Sequence, residues 1–261
     1  MGPTGLSAYH VKTGDTGVSL KLRESLLQGL EQWLQQQPEV NAVWLEGADA
    51  RNAVDQWSDI DCCISLCQPK LTDFAAKFQT ALMSICPAEQ LEYQSQDHRV
   101  HLVYEITDTT PPLLLDIDLL FKTGDTFYPD DPIELPRVLF EKSPQLTFNR
   151  SELTDHEIDS LLTQLDGQIQ QASRVRKYLQ RNSHIEAFAY YEKFVLKPLI
   201  TLLRLRHTPR HPDYYIVHIS DHLPVAEKTA LEALYYLSGP EQLQQKLDEA
   251  LDWYQQLRSS S

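Results

Sequence analysis

The run Gly47-Ala48-Asp49-Ala50-Arg51, followed by Ser58-Asp59-Ile60-Asp61, decides how the rest of the chain is read. Just before it, Val40 to Leu45 is short, apolar and partly β-branched, the pattern of a buried strand that runs straight into a turn at Gly47. Just after it, Asp59 to Leu66 reads as a second strand. Side chains on a strand alternate between faces, so Asp59 and Asp61 project to one side and can ligate the same divalent cation. Gly47 permits a tight turn whose amides can face a phosphate, and the small Ala48 and Ala50 leave room for close approach. Carboxylate oxygens in this arrangement suit Mg²⁺, which keeps its other positions for water and substrate phosphates.

Toward the N-terminus, Leu20, Leu22, Leu26, Leu27, Leu30, Trp33 and Leu34 recur at helical spacing until Pro38, and residues 1–18 form a Gly-, Thr- and Ser-rich lead-in. Toward the C-terminus the pattern gives a helix over Leu71 to Ile85, an alternating strand over Arg99 to Ile106, and a nearly continuous apolar strand over Leu113 to Phe121. Asp116 and Asp118 interrupt that last strand on a shared face. A charge in an apolar strand is costly unless paired or coordinated, and metal ligation is one way to meet the cost. Pro129, Pro132, Pro136 and Pro144 among clustered acids read as a linker over 126–150. Beyond it the periods are helical: Asp155 to Arg181, His184 to about Arg206, a short piece near Tyr214 to Ile219, Val225 to Leu237 and Glu241 to Leu257. The expected plan is α+β: a mixed catalytic domain over 19–125, then an all-α helical bundle over 151–261.

The chain carries 23 Lys and Arg against 37 Asp and Glu, a formal net charge of -14. That balance argues against a long nucleic-acid partner, which needs a broad basic face. With no long apolar run and no leader pattern, the expectation is a cytoplasmic protein with no membrane contact. Cys62, Cys63, Cys67 and Cys86 lack paired zinc-knuckle spacing and read as free thiols. His207 with His211 and His218 with His222 have zinc-like i, i+4 spacing; Pro209 interrupts the first pair and no adjacent acid supports the second, so surface or hydrogen-bonding roles are expected. Arg174, Arg176, Lys177 and Arg181 read as a solvated helix face, and Tyr190, Tyr191 and Phe194 as packing residues.

The Gly-Ala-x-Ala-Arg turn, the Asp59-x-Asp61 pair and the later strand Asp together resemble the polymerase β-like nucleotidyltransferase superfamily, and more closely its bacterial branch of kanamycin and streptomycin adenylyltransferases. The resemblance implies that Gly47 and Ala48, with Arg51 and Ser58, hold the nucleotide. It implies that Asp59 and Asp61 bind Mg²⁺ or Mn²⁺ and that Asp116 or Asp118 is the third acid, with Asp118 favoured because it precedes the apolar Leu119-Leu120-Phe121. Glu105 is an alternative base. Lys197 and Arg204 of the helical half would neutralise the triphosphate. The implied reaction moves a nucleoside monophosphate, AMP from ATP or another NTP, onto a hydroxyl of a small acceptor. The family's Ser after the first Gly is Ala48 here, and its Gly after Arg51 is Asn52. A catalytically decayed nucleotide-binding regulatory or antitoxin-like module is the alternative, and the sequence is silent on oligomeric state.

Overall fold

In the computed structural model, residues 16–68, 70–107, 109–121, 135–142, 146 and 152–259 are described. The chain divides into two compact units, Met1–Asn149 and Arg150–Ser261. The first contains α1 (Thr16–Gln35), β1 (Val40–Leu45), α2 (Gly47–Ala50), β2 (Ile60–Leu66), α3 (Leu71–Ile85), β3 (Ala88–Gln96), β4 (Arg99–Ile106), β5 (Leu113–Phe121) and β6 (Arg137–Glu141). Most of the lead-in and of the linker lies outside the described residues, although α1 already begins at Thr16, ahead of the expected start at Ser19.

The strands form a single sheet in the order β3-β4-β5-β2-β1-β6. β2 and β5 run parallel, and every other neighbouring pair is antiparallel. A parallel pair needs a long crossover. Here α3 and the β3–β4 hairpin supply it. One face is the core: Leu26, Leu30 and Leu34 of α1 and Phe74, Phe78 and Leu82 of α3 pack on Val43, Ile60, Ile64, Leu102, Leu115, Ile117 and Leu119. Burial of apolar surface on this scale is the main favourable term for the unit. Strand alternation then sends Asp61, Cys63, Asp116, Asp118 and His101 to the opposite face, where Ala42, Trp44 and Cys63 form a small apolar cluster.

Two strands correct the sequence reading. Residues 137–141, assigned to the linker, pair with β1 and extend the sheet; the surrounding prolines outweigh a five-residue strand in any composition window. The stretch Ala88–Gln96 received no element, because β3 is mostly exposed and its Glu, Gln and Ser residues hide the strand period. Pairing with β4 from Ala88 to Gln96, with one register shift between Gln90 and Glu92, makes it a strand despite that composition.

The second unit contains α4 (Asp155–Ile169), a 3₁₀ turn (Gln170–Ala172), α5 (Ser173–Gln180), α6 (His184–Tyr191), a π-helical stretch (Glu192–Leu196), α7 (Lys197–His207), a second 3₁₀ turn (Pro212–Tyr214), α8 (Ile219–His222), α9 (Val225–Tyr235) and α10 (Pro240–Ser259). Thr154 and Glu157 start α4 with a reciprocal capping box, each side chain accepting the other's backbone N–H. Leu165, Val175, Tyr191, Leu199, Leu203, Leu247 and Tyr254 are among the residues of a separate core. No helix among the described residues is long and apolar enough to cross a membrane.

Cys62, Cys63 and Cys86 are buried and Cys67 is exposed, all as free thiols. Burial pushes the Cys62, Cys63 and Cys86 thiols up, and a thiol without thiolate character is a poor nucleophile. A thiol reagent is therefore expected to modify Cys67 alone in the native protein, with the other three reacting only after denaturant is added. Rapid labelling of two or more thiols without denaturant would show that this sheet is not closed.

Candidate active site

The connection between β1 and β2 builds the site. Gly47 opens α2 at φ 57°, a conformation that side chains disfavour. A Cβ added there would lie under 3.0 Å from the Asp61 carboxylate, so the backbone packs directly on that acid. The Glu46 amide donates to the Asp61 carbonyl at 2.9 Å, which fixes the turn to the first residues of β2. Asn52 takes φ 54°, and asparagine is among the residues that best tolerate this region.

Register then selects the partner acid. In the parallel pair, Asp61 stands opposite Asp116 and Cys63 opposite Asp118. Asp116, rather than the favoured Asp118, is thus the strand neighbour of Asp61. Asp118 is held by Arg99, whose Nε and Nη2 donate to its two oxygens at 2.6 and 2.7 Å. His101 sits between the two acids, with Nδ1 3.3 Å from Asp116 and 3.2 Å from Asp118. Glu105 pairs with Leu114, two positions further along β4 from the residue opposite Asp116.

The remaining acids close around Asp61. Asp59 is exposed just before β2. Glu46 accepts from Trp44 Nε1 at 2.9 Å and from the Cys63 thiol at 3.5 Å. Asp49 is buried and bonded by Arg23, whose Nη2 also donates to the Asp59 carbonyl at 3.0 Å; Arg137 reaches the same carboxylate at 3.5 Å. Burial, then the charges of Asp116, Asp59, Glu46 and Asp49, push the Asp61 carboxyl up to about 6. Asp116 is raised too, chiefly by burial, with His101 opposing. The site thus carries more negative charge than its own cations offset.

The consequence for stability has a definite sign. Because Asp61 holds its proton more tightly when folded, with its ordinary value at 3.8, it favours the fold at acid pH and loses that contribution as pH rises through about 6. Asp61→Asn is expected to raise stability at neutral pH by about 1–2 kcal/mol, a two-unit shift discounted for partial water access. It is also expected to flatten the pH dependence between roughly 4 and 7. Urea unfolding of both proteins across that range is the measurement. A variant less stable than the parent at neutral pH would contradict the crowding of charge described above.

The other sequence candidates fall as follows. Ala48 lies in α2 beside Gly47, and Arg51 caps its end. The Ser58 hydroxyl donates to Asp55 and accepts from the Asp55 amide, both at 2.9 Å, so it is engaged in closing its own turn. Lys197 belongs to the second unit, exposed, with its ammonium 5.7 Å from the Tyr215 ring. Arg204, expected to meet a triphosphate, is corrected: it is 0% exposed, with Nε donating to the Tyr215 carbonyl at 2.7 Å, Nη2 to the Val217 carbonyl and Nη1 to Thr208. It pins the connection after α7 from Thr208 to Val217. His222 lies 3.2 Å from Arg204, His207 pairs with Glu227 at 2.6 Å, and His211 stacks on Tyr214.

Arg99, His101 and Glu46 are the site residues that sequence reasoning missed. Nothing marks them until the register of β4 against β5, and the Trp44 bond to Glu46, are known. Among the described residues, no three His, Cys, Asp or Glu side chains already converge as a metal cage. Mg²⁺ needs only one or two protein carboxylates and takes its remaining ligands from water and phosphate. The adjacent Asp61 and Asp116, crowded by like charge, are a donor set of that kind.

No family model matches the sequence, and no curated protein does. Among solved structures, a nucleotidyltransferase-like protein from Exiguobacterium sibiricum is 12% identical, covers 92% of this chain and 75% of its own, and superposes with a TM-score of 0.33. The Helicobacter pylori protein JHP933 is 13% identical, covers 93% of each chain, and has a TM-score of 0.30. Scores this low establish neither fold nor activity.

Proposed function

We propose that the acid face of the first unit is a Mg²⁺-dependent nucleotidyltransferase site, transferring a nucleoside monophosphate from an NTP to a hydroxyl of a small acceptor. One observation carries this reading: Asp61 and Asp116 stand side by side in parallel register, with the Gly47 backbone against the first of them. Asp59, Asp61 and Asp116 are the residues that would hold the metal. When bound, the ion would offset charge on the transferred phosphoryl group and orient it.

The chain's own residues account for the rest. Gly47 lets the turn backbone pack directly on the Asp61 carboxylate, which any side chain there would displace. Arg99 fixes Asp118, and Asp118 with Asp116 holds the His101 ring in place. His101 is then the group placed to take the acceptor's proton. The acceptor oxygen attacks the α-phosphorus, the bond from that phosphorus to the bridging oxygen breaks, pyrophosphate leaves with the electron pair, and the acceptor proton passes to His101. ATP is the preferred donor in this reading, and the net charge of -14 suits a cationic small acceptor.

The experiment is calorimetric titration of ATP and of GTP into the protein, with and without Mg²⁺, beside an Asp61→Asn/Asp116→Asn variant. Mg²⁺-dependent binding in the parent and its loss in the folded variant are expected. A folded parent that binds neither nucleotide would favour the decayed regulatory module instead. Binding without pyrophosphate release across an acceptor screen would do the same.

A further inference from the structure

Acids outnumber bases in this chain, and many of its cations are spoken for: Arg23 pairs with Asp49, Arg99 with Asp118, Arg176 with Asp248 and Arg258 with Asp166. A group in the second unit departs from that pattern. Arg174, Lys177, Arg181 and Lys193 are all exposed, and none has a carboxylate at ion-pair distance among the described residues. They lie instead along a row of rings. Tyr178 stacks on Tyr190 with centroids 5.1 Å apart, and Tyr190 on Phe194 at 5.5 Å. The Arg174 guanidinium stands 5.8 Å from the Tyr190 centroid and 5.9 Å from that of Phe194. Arg181 and Lys177 stand 5.8 and 5.9 Å from Tyr178, and Lys193 5.3 Å from Phe194.

Cation–π contact explains how these charges are held, at about 0.5–1 kcal/mol each at exposed sites. It does not explain why four like charges are gathered in one row of an acidic protein. A guanidinium set against a ring has already lost part of its rotamer freedom, so less remains to be lost when it bonds a phosphate. The π-helical stretch Glu192–Leu196, a rare backbone form, carries Lys193 and Phe194. Phe194 is buried and Tyr190 is stacked on both sides, so the rings act here by holding the cations in a fixed row, the electrostatic element that tracks a phosphate backbone.

We propose that this row binds the phosphodiester backbone of a short single-stranded nucleic-acid segment. The inference is independent of the acid face. The net charge of -14 opposes a long or double-stranded partner, which would lie over acidic surface as well; a single strand needs to follow only this row.

The test uses the full chain and a fluorescein-labelled oligouridylate, read by anisotropy over roughly 50 to 200 mM salt. Four phosphate contacts predict a log–log slope of about -3, and removing two of them a slope of about -1.4. Arg174→Gln/Arg181→Gln is expected to show that reduction, and Lys177→Gln/Lys193→Gln to show it independently, each with a cooperative melting transition lowered only by the loss of its cation–π contacts. Arg176→Gln removes one cation from α5, but Arg176 is bonded to Asp248 at 2.6 Å, and its slope is expected to match the parent. Absence of binding at the lowest salt would overturn the proposal, as would an Arg176 effect equal to the others. So would displacement of the oligonucleotide by polyglutamate or inorganic triphosphate at matched charge, which would make the row a general anion surface.

Discussion

Gly47→Ala is expected to reduce Mg²⁺-dependent nucleotide binding and turnover by about 100-fold, the scale of loss when a reacting group is displaced by roughly 1 Å. Two separate effects act at this position. The new Cβ would overlap the Asp61 carboxylate, so either that acid or the turn must move. The backbone is also in the left-handed region at φ 57°, where a side chain adds roughly 1–2 kcal/mol of strain. Turnover and nucleotide titration read the first effect, and a melting curve reads the second. A Gly47→Ala protein that melts a little earlier but binds nucleotide like the parent would show that Asp61 is not what the turn positions. Asn52→Gly is the matched control: φ 54° is kept, and binding should not change.

Arg23→Met is expected to be the most destabilising of the changes considered. The side chains of Arg23 and Asp49 are 6% and 1% exposed. Removing one partner leaves a buried carboxylate without its counter-charge, which costs about 3–5 kcal/mol. For a unit of this size that lowers the melting temperature by on the order of 10 °C. Arg137 also reaches Asp49, but at 3.5 Å from a side chain that is 59% exposed, a weak substitute. Replacing both partners together, Arg23→Met/Asp49→Leu, should recover most of the loss, since an apolar pair of similar size leaves no charge stranded. Double-variant stability equal to the sum of the two single losses would show that the pair is not an energetic unit. Arg23 also bonds the Asp59 carbonyl, so the single variant should weaken metal-dependent binding even under conditions where it stays folded.

Much of this was legible from residues alone, for reasons that can be given element by element. β1, β4 and β5 follow the expected bounds because their apolar periods are strong and each is flanked by turn residues. The turn before β2 was visible because a local pattern, a glycine turn then alternating acids, announces it, although β2 begins at Ile60 and leaves Asp59 just ahead of it. What could not be read depends on contacts between distant segments. Which of Asp116 and Asp118 stands beside Asp61 is a matter of register between β2 and β5, and no local signal encodes register across a crossover. Arg204 looked like a free cation on a helix, yet it is buried because carbonyls of a loop beyond that helix satisfy it. Asp49 looked like part of a phosphate-facing turn, and its partner Arg23 lies on the helix before β1. β3 shows the converse: a polar composition that forbids no strand once β4 offers a pairing partner.

The position of β6 has a bearing on how this protein is made and trimmed. β1 sits between β2 and β6, so its outer edge is closed by the strand that, among the described residues of the unit, leaves the ribosome last. Until then a nascent chain presents the unpaired backbone of Val40–Leu45, flanked by fully buried side chains, as a template for any other extended segment. The same exposure would be permanent in a fragment cut after β5, where the proline-rich stretch invites a boundary. An N-terminal fragment should therefore run past Glu141 if it is to stay dispersed, and synthesis that stalls in the intervening stretch leaves a species prone to self-association.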